Sequence, residues 1–451
     1  MFRHGSIGRM GLVGVVAVMI GALVACQPIR PITPIGTVDE GSDRIGCNKA
    51  DNQIVVTVSS HLVPSCTYTR SIQITSSDVV LDCRGALIEK DPDVRDRLGI
   101  EIVAPADVAL SNVTVRNCIV RGFSNNMRIR REGFKELTQG MEYDNAFSNI
   151  RVENSRFYDS EASGLFVDGY VTGVTLDGLE VARSGGVGVY FEAGSKDNVV
   201  QHSEIHHNGY RDVTPEGVPI VVGGVEFRYR STGREGIAID GSRDNIVRNN
   251  TIHNNSAGAI LVYKNCGEDA TSNPEGWWHR PYGSSGNLIE GNKIGSEDNG
   301  VWLASRMAEN QAFMDCSDPP YLSAPLQSVF LDPSPDNVVR ENLLINVTHG
   351  VRVEDDGNRV EDNQFFLAPG QTSVLIGTKH RTEALALPVS GTVVTGNETL
   401  ASVPVQPYGW IYGHVATTFA GNFLNGLEAG LAEGTPPVIN PFLFAEEIWV
   451  A

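Results

Sequence analysis

The stretch DNIVRNNTIHNN, from Asp244 to Asn255, combines residues that favour different backbone conformations. Five of its twelve residues are asparagine, which is common in turns and unfavourable in strands. Isoleucine and valine, which favour strands, recur between the asparagines. The pattern therefore predicts very short strands that are joined by sharp turns.

Similar stretches recur along the chain in the form Asn-x-(Ile/Val)-x-x-Asn-x-(Ile/Phe), followed by Gly-(Val/Ile)-x-(Val/Ile). They include the segments around Asn149, Asn198, Asn287, Asn337 and Asn358. A fixed repeat of about two dozen residues is typical of a solenoid, in which each unit packs on its neighbours. Short strands with β-branched inward positions favour a parallel β-helix. A β-sandwich with asparagine-rich hairpins is the alternative, but sandwich strands rarely repeat one motif this closely.

Asparagine suits the turns of such a coil for two reasons. It tolerates left-handed backbone angles, and its side-chain amide can bond to the asparagine one coil above or below. We therefore expect the repeated asparagines to stack along the solenoid.

The chain has 451 residues and a formal net charge of −19. So strong an acidic balance argues against nucleic acid as a partner. Because a solenoid grows by adding coils, we expect one long domain in a monomeric protein.

The N-terminus has the features of an export signal. Arg3 and Arg9 precede an apolar run over residues 11–24, which is short for a membrane span. The sequence Leu-Val-Ala-Cys that ends at Cys26 resembles the bacterial lipobox, whose cysteine becomes lipidated. Gln27 follows that cysteine, and by resemblance to Gram-negative lipoproteins this implies the outer membrane, on its periplasmic or surface side, with the lipid as the only membrane contact. An ordinary signal peptide or a membrane helix is the alternative.

Six further cysteines suggest disulfides, since their number is even and the chain is exported. They are Cys47, Cys66, Cys83, Cys118, Cys266 and Cys316. Spacing does not fix their connectivity. Nearness favours Cys47–Cys66, and Cys266 pairs with Cys316 if two neighbouring insertions are tied together. The remaining pair, Cys83 and Cys118, forms either a disulfide or two buried thiols.

Two segments carry a resemblance to a known group of proteins. Residues 79–88 (VVLDCRGALI) and 112–123 (NVTVRNCIVRGF) resemble the opening coils of bacterial right-handed β-helix proteins. That group includes pectate-lyase-like lyases, alginate epimerases and periplasmic copper-maturation proteins. The resemblance covers about residues 50–395 and implies an all-β, right-handed, single-stranded parallel β-helix with long insertions and terminal caps.

The expected domain organisation has four parts. They are a lipoprotein signal peptide (1–25), a tether (26–45), the β-helix with its N-terminal cap (46–395) and a C-terminal cap (396–451). Insertions are expected on one face of the solenoid, where such loops often bind ligands. They lie at about 122–139, 209–234, 265–286 and 305–335.

Four strands that begin with glycine carry an acid at their fifth position. The glycines are Gly140, Gly164, Gly188 and Gly236, and the acids are Asp144, Asp168, Glu192 and Asp240. Because neighbouring coils lie about 4.8 Å apart, these acids are expected to form a ladder of carboxylates. Like charges at that spacing repel, so a bound cation such as calcium, a shared proton or a cationic neighbour is expected. The alternative is ordinary turn chemistry, since aspartate often precedes a turn.

The next strand places Tyr263 in line with the ladder and Lys264 at its edge. A lysine near a bound divalent cation can act as a base because its pKa falls. A solvated lysine is equally compatible with the sequence.

Cationic and aromatic residues in and beside the insertions suggest substrate-binding walls. They are Arg128, Arg130, Arg131, Lys135, Tyr190, Arg228, Arg230, Trp277, Trp278, His279 and Arg280. Arginine binds anionic groups through paired hydrogen bonds, and sugar rings usually stack on aromatic side chains. Ion pairs with the ladder itself or burial in the core are the alternatives. The histidines His202, His206 and His207 fall on another sheet and are interpreted as turn or coil-face residues, not as metal ligands.

These features favour an enzyme that acts on a polysaccharide containing uronic acids, by β-elimination or C5 epimerisation. Such chemistry needs a cation or arginine at the carboxylate, a base for the C5 proton and assistance to the leaving oxygen. The catalytic candidates are Lys264, Tyr263, Asp168, Glu192 and Asp240. The layout resembles that of pectate-lyase-like enzymes, in which aspartates hold calcium and a lysine is the base.

Two other functions stay open on the sequence. A glycoside hydrolase could use paired carboxylates of the same ladder. The polygalacturonase motifs and the Asp-Pro-His-Asp motif of alginate epimerases are absent from the sequence, which argues against those two subfamilies. A non-enzymatic surface protein that binds polysaccharide would need neither the ladder nor insertions on one side.

Overall fold

The computed structural model describes residues 30–37, 41–49, 52–211, 213, 218–222, 225–229, 233–264, 280–305, 334–384 and 386–435. By its contacts the chain divides into residues 1–31 and residues 32–451. Of the first unit only Arg30 and Pro31 are described, and the fold below is that of the second unit.

Three long sheets of 13 strands each make up the second unit. In each coil the chain passes through sheet A, then sheet C, then sheet B, and returns to sheet A one coil higher. Strands of consecutive coils pair in parallel, for instance Ile150 with Val174 and Val167 with Phe191. The molecule is therefore a parallel β-helix, as the asparagine repeat predicts.

The strands of sheet A are Asp43–Ile45, Ser60–Leu62, Val79–Asp82, Ser111–Arg116, Ser148–Glu153, Val174–Asp177, Val199–Gln201, Ile246–Arg248, Leu288–Glu290, Val338–Arg340, Arg359–Glu361, Val393–Thr395 and Thr418–Ala420. Those of sheet B are Ile54–Val56, Ile72–Ile74, Leu98–Pro105, Asn125–Glu132, Ser163–Val167, Val189–Phe191, Glu235–Asp240, Gly258–Tyr263, Asn299–Leu303, His349–Val353, Thr372–Ile376, Tyr408–Trp410 and Ala432–Glu433.

Sheet C contains Thr67–Tyr68, Leu87–Glu89, Ile119–Arg121, Arg156–Tyr158, Glu180–Ala182, Glu204–His206, Thr251–His253, Lys293–Gly295, Leu343–Ile345, Gln364–Leu367, Glu398–Ala401, Phe423–Leu424 and Leu427–Glu428. Outside the coil, Val218–Val222 and Val225–Tyr229 form an antiparallel hairpin, and Val389–Ser390 pairs with His414–Val415. Short helical turns span Cys47–Lys49, Phe134–Glu136 and His380–Ala384.

The core is built from aliphatic and aromatic side chains that point inward and stack from coil to coil. In sheet B one such stack consists of Ile129, Val167, Phe191, Ile239, Val262, Leu303, Val353 and Ile376, each 1% exposed or less. Because side chains alternate along a strand, the residues between them face outward. This alternation positions the candidate site on the outer face of sheet B.

The predicted rows of asparagine are present. One row runs through Asn250, Asn292, Asn342, Asn363, Asn397 and Asn422, with amide-to-amide hydrogen bonds of 2.9–3.0 Å. A second row joins Asn198, Asn245, Asn287, Asn337 and Asn358. Their side chains are at most 2% exposed, so the rows satisfy buried polar groups of the turns.

The left-handed backbone position, however, belongs to the residue before each row asparagine. Asp244 precedes Asn245 with φ 56°, and Gly291 precedes Asn292 with φ 64°. Each turn therefore divides the two roles that the sequence analysis assigned to one asparagine. Aspartate, asparagine, glycine or, before Asn342, glutamate adopts the left-handed angle, and the next asparagine bonds to its neighbours.

The β-helix extends beyond the predicted limits of 46 and 395 at both ends. The first strand starts at Asp43, inside the predicted tether, and sheet B continues to Glu433, inside the predicted C-terminal cap. Residues 32–37 also belong to the folded unit, since the Ile35 amide donates to Asn117 Oδ1 at 2.9 Å. Side-chain amides of the first turns thus bond to part of the segment that was expected to be a tether.

Two disulfides join Cys47 to Cys66, the pair that nearness favours, and Cys83 to Cys118, for which the sequence left a disulfide or two buried thiols open. Cys83 and Cys118 are fully buried at equivalent turns of neighbouring coils. The predicted partners Cys266 and Cys316, like the lipidation candidate Cys26, lie outside the described residues. No helix in the part of the chain that the structure describes is long and apolar enough to cross a membrane.

Candidate active site

The outer face of sheet B carries the predicted ladder. Glu192 and Asp240 directly follow the paired residues Phe191 and Ile239, and Asp240 pairs with Tyr263. Asp168 follows Val167, which pairs with Phe191. Four of the residues selected from the sequence, Asp168, Glu192, Asp240 and Tyr263, therefore occupy one column on consecutive coils.

The prediction for Asp144 is wrong. The strand below Asp168 is Asn125–Glu132, and this strand places Arg130 beside Asp168 in the column. Asp144 instead lies exposed in a turn, where its amide donates to the Met141 carbonyl at 3.0 Å. The expected insertion at 122–139 therefore contains a coil strand, Asn125–Glu132, whose Met127 and Ile129 point into the core.

An arginine neutralises the lower end of the ladder. Arg128 Nε lies 2.7 Å from Asp168 Oδ1, and its guanidinium covers the Phe166 ring at 5.0 Å. Asp168 is 1% exposed, whereas Arg128 is 30% exposed. Burial raises the pKa of Asp168, and Arg128 and Arg130 oppose that shift. The cation thus has an accessible face while the acid does not.

Glu192 lies between two other acids and beside one arginine. Arg280 Nη2 is 3.7 Å from Glu192 Oε1, and both side chains are 14% exposed. Burial raises the pKa of Glu192, Arg280 opposes the shift, and Asp240 adds to it. Arg280 is the member of the predicted aromatic and cationic loop that the structure places against the ladder.

Tyr190 connects the ladder to the neighbouring outward column. Its hydroxyl donates to Asp240 Oδ2, and its ring stacks on Phe166 with centroids 4.8 Å apart. Burial, with Asp240 and Glu192 nearby, raises the pKa of Tyr190 well above its ordinary range. The residue predicted to bind sugar is therefore part of the carboxylate cluster and stays a neutral phenol.

Tyr263 and Lys264 are buried, with 1% and 3% exposed. The Tyr263 hydroxyl donates to Glu235 Oε1 at 2.6 Å and receives a hydrogen bond from Arg234 at 3.1 Å. Tyr263 therefore keeps its place in the column, but its hydroxyl serves the Arg234–Glu235 pair. Lys264 follows directly at the end of the strand.

The predicted cationic wall divides into three different environments. Arg130, 39% exposed, pairs with Glu101 and Glu132 at 3.0 Å each. Arg131 is fully buried and donates to the Glu142 and Ala106 carbonyls at 2.5 and 2.8 Å, so it is a structural residue and not a substrate ligand. Lys135 is exposed in the short helical turn Phe134–Glu136.

Several predicted wall residues lie beyond what the structure describes. Arg230, Trp277, Trp278 and His279 are outside the described residues, and of Arg228 only the backbone, in the hairpin, is described.

A cavity of about 570 Å³ opens further along the same face of sheet B. It is lined by Trp302, His349, Arg352 and Gln371 among others, and Arg352 covers the Trp302 ring at 3.6 Å. A volume of this size suits a small-molecule or sugar site. These residues are not among the candidates selected from the sequence, although Gly300 and Gly350 lie in the same register as Gly236 and point to them.

The ladder does not fit a calcium site. Calcium takes six to eight oxygen ligands that converge on one point. Asp168 bonds to Arg128 and Asp240 accepts from Tyr190, so each has a protein partner. Among the described residues, one group of side chains brings three ligand atoms within 4.8 Å of one another. It consists of Glu180, Glu204 and His206 and lies on sheet C, away from the ladder.

The site thus combines buried acids that hold protons readily with arginines at its accessible edge. Burial raises the pKa of Asp168 and of Glu192 above their ordinary values, which makes their carboxylates stronger bases than exposed ones. Arg128 and Arg130 can bind an anionic group beside them. This arrangement suits proton transfer next to a carboxylate.

Two family models match parts of the chain. A right handed beta helix region matches residues 98–275, and the periplasmic copper-binding protein (NosD) model matches residues 223–370. No curated protein matches the sequence.

Solved structures with similar coils include three polysaccharide enzymes. The A-module of the mannuronan C-5 epimerase AlgE6 from Azotobacter vinelandii has 13% identity and a TM-score of 0.51, over 88% of this chain and 91% of that one. An alginate lyase from Paenibacillus sp. str. FPU-7 has 14% identity and a TM-score of 0.42, over 85% and 98%. The catalytic domain of a GH87 alpha-1,3-glucanase has 11% identity and a TM-score of 0.45, over 84% and 63%. At such identities the likeness concerns the fold, and the chain is a right-handed parallel β-helix protein.

Proposed function

We propose that the protein is an enzyme that acts on a polysaccharide with carboxylated sugars. The observation that carries the proposal is the column on sheet B, where Arg128 and Arg130 at the accessible edge lie beside the buried Asp168, and Glu192 follows one coil above. A mannuronan C-5 epimerase has the same fold, but for this chain the proposal depends on its own side chains.

The proposed reaction is β-elimination or C5 epimerisation. Arg128 and Arg130 bind the carboxylate of a uronic acid, which makes its C5 proton more acidic. The ionised Glu192 accepts that proton. Its raised pKa makes it a stronger base than an ordinary glutamate. In elimination the C5 electron pair forms a C4–C5 double bond, the C4–O bond breaks, and the leaving oxygen takes up the proton that Glu192 has accepted. In epimerisation a proton returns to C5 from the opposite face.

Lys264 is the alternative base in this proposal. It lies in the coil above Asp240, directly after Tyr263. Tyr263 is less suited because Glu235 and Arg234 occupy its hydroxyl. Lys264→Ala separates the two assignments, since it should leave the reaction rate largely intact if Glu192 is the base.

A retaining glycoside hydrolase is a second candidate. Glu192 and Asp240 lie on consecutive coils, a spacing of about 4.8 Å, which is near the separation of about 5–5.5 Å between the carboxyl groups of retaining enzymes. Glu192, with its raised pKa, would be the acid and Asp240 the nucleophile. The two reactions give different products from the same site.

Incubation with a panel of uronic-acid polymers and neutral glucans tests the proposal. We expect a rise in ultraviolet absorbance from an unsaturated product on a uronic-acid polymer, or exchange of the C5 proton with solvent deuterium without chain cleavage. New reducing ends without that absorbance would identify the hydrolase. Addition of a chelator should change neither result, and loss of activity that added calcium restores would overturn the metal-free mechanism.

Export and lipidation at Cys26 complete the proposal. The lipobox-like sequence and Gln27 support an outer-membrane lipoprotein that meets its substrate outside the cytoplasm. Mass spectrometry of the exported chain tests this, since a mature N-terminus at Cys26 should carry acyl groups.

A further inference from the structure

A second cluster of titratable side chains lies on sheet C, away from the ladder of sheet B. Glu180 and Glu204 are paired on consecutive coils, and His206 pairs with His253 in the parallel column two residues further on. Two carboxylates and two imidazoles therefore occupy neighbouring outward positions on three consecutive coils.

The ligand atoms of three of these residues converge. One atom each from Glu180, Glu204 and His206 lies within 4.8 Å of the other two. His206 Nε2 is 3.5 Å from Glu180 Oε1. The small Ala182, which pairs with His206 one coil below, leaves the imidazole room to approach Glu180.

His206 points an unpartnered nitrogen into this cluster. Its side chain is 9% exposed, and among the described residues Nε2 has no hydrogen-bond partner. The other nitrogen, Nδ1, lies 2.8 Å from His207 Nδ1, so one of the two rings donates. When His206 donates, its Nε2 carries a lone pair that faces the Glu180 carboxylate, and a cation between them satisfies both.

His253 holds Glu204 in place. Asn254 Nδ2 can only donate, so His253 Nδ1 accepts this hydrogen bond of 3.0 Å and its Nε2 carries the proton. That Nε2 lies 3.3 Å from Glu204 Oε1. A histidine that donates to a ligating carboxylate is a common support of metal sites.

Electrostatics also favour a cation here. Glu180 and Glu204 are in direct register, where like charges destabilise a sheet. Arg156 approaches Glu180 from the coil below at 3.4 Å.

We propose that Glu180, Glu204 and His206 bind a divalent transition-metal ion of the Zn²⁺ type, with His253 as a positioning residue. One nitrogen and two oxygen ligands are a donor set that zinc accepts, with water in the remaining position. An imidazole ligand selects against calcium, which prefers oxygen ligands alone. From the sequence His206 was interpreted as a turn or coil-face residue and not as a metal ligand. Its position on the sheet agrees with the first part, and the proposal departs from the second.

The ion would join consecutive coils. Glu180 belongs to one coil, and Glu204 and His206 belong to the next. His253, which positions Glu204, belongs to a third. Because a metal that binds only the folded chain adds its binding free energy to stability, the site would reinforce stacking. This role is independent of the proposed reaction on sheet B.

Calorimetric titration of the exported chain, without a histidine tag and after dialysis against a chelator, tests the site with Zn²⁺ alone. We expect one bound ion per chain and a higher melting temperature with Zn²⁺. His206→Ala and Glu204→Gln should each weaken binding at least about tenfold, since loss of supporting residues alone has effects of that size. His202→Ala is the matched control, because His202 pairs with Asp177 at 2.9 Å outside the cluster, and it should bind as the parent does.

Glu204→Gln decides the test if His206→Ala fails to fold, because the Glu204 side chain is 39% exposed and its shape is preserved. Unchanged Zn²⁺ affinity in a folded Glu204→Gln protein would overturn the proposal. So would Ca²⁺ binding as tight as Zn²⁺ binding, because the imidazole would then not be a ligand.

Discussion

At the residue scale, one buried asparagine satisfies several groups of a turn. Asn292 Nδ2 donates to Asn342 Oδ1 at 3.0 Å and to the Val247 carbonyl at 2.8 Å. Its Oδ1 accepts from the amide and side chain of Asn250, each at 3.0 Å. The repeat in the sequence therefore records a hydrogen-bond requirement of the coil, and not only a turn preference.

Asn292→Ala should lower the free energy of unfolding by several kcal/mol. The substitution removes the acceptor of the buried Asn250 amide and the side-chain donor to the Val247 carbonyl, while Asn342 Oδ1 keeps its bond from the Asn292 backbone amide. Each buried group that loses its partner costs about 1–3 kcal/mol. Asn52→Ala, at an exposed asparagine outside the rows, is the control and should change stability by less than about 0.5 kcal/mol. Urea unfolding measures both, and equal effects would contradict the structural role of the row.

Glu297 takes the place of an asparagine in a third, shorter row. It accepts from Asn255 Nδ2 at 2.8 Å, and Asn255 in turn accepts from Asn208. Burial raises the pKa of Glu297 from 4.5 to about 8, although the bonds from Asn255 oppose the shift. The folded chain therefore holds a proton that the unfolded chain releases.

Stability should accordingly fall as the pH rises from about 4.5 to about 8, because the folded state binds the extra proton in that window. Glu297→Gln keeps an acceptor for Asn255 and removes the proton. The variant should therefore match the parent near pH 4 and exceed it above pH 8. Melting temperatures across this range measure the effect, and parallel curves for parent and variant would refute the assignment.

At the element scale, strand register explains which parts of the site follow from the sequence. The 24-residue spacing of Gly164 and Gly188 is the length of one coil, and it places Glu192 directly above Asp168. The same reasoning failed for Gly140, since the glycine pattern recurs there inside a turn. The real strand, Asn125–Glu132, begins without glycine and has arginines outside, and only its inward Met127 and Ile129 reveal it.

The Cys83–Cys118 disulfide should add to the stability of the first coils. It closes a separation of 35 residues, for which the loss of unfolded-state entropy corresponds to about 3–4 kcal/mol. A Cys83→Ser/Cys118→Ser double variant should lose about that amount in denaturant unfolding. No loss of stability relative to the parent would show that the crosslink contributes nothing beyond core packing.

At the scale of the whole molecule, the repeat predicts the solenoid. It does not predict where the solenoid ends or which side chains bond to the acids of the ladder. The coil continues to Glu433 although its last turns keep few of the repeated residues, so pattern matching ended at 395. Contacts such as Arg128 with Asp168 and Tyr190 with Asp240 depend on side-chain direction. That direction follows from packing between coils, which spacing alone does not specify.

The central claim is that reactivity resides in the buried acids of sheet B. Turnover of a uronic-acid polymer by Glu192→Gln tests this most directly, with Asp144→Asn as the matched control, because the structure places Asp144 in an exposed turn away from the column. We predict that Glu192→Gln loses at least about a hundredfold in rate, as removal of a general acid or base does. Its circular dichroism spectrum should match that of the parent, which shows that the variant is folded. Asp144→Asn should keep the parent rate. Full activity in the folded Glu192→Gln protein would contradict the account.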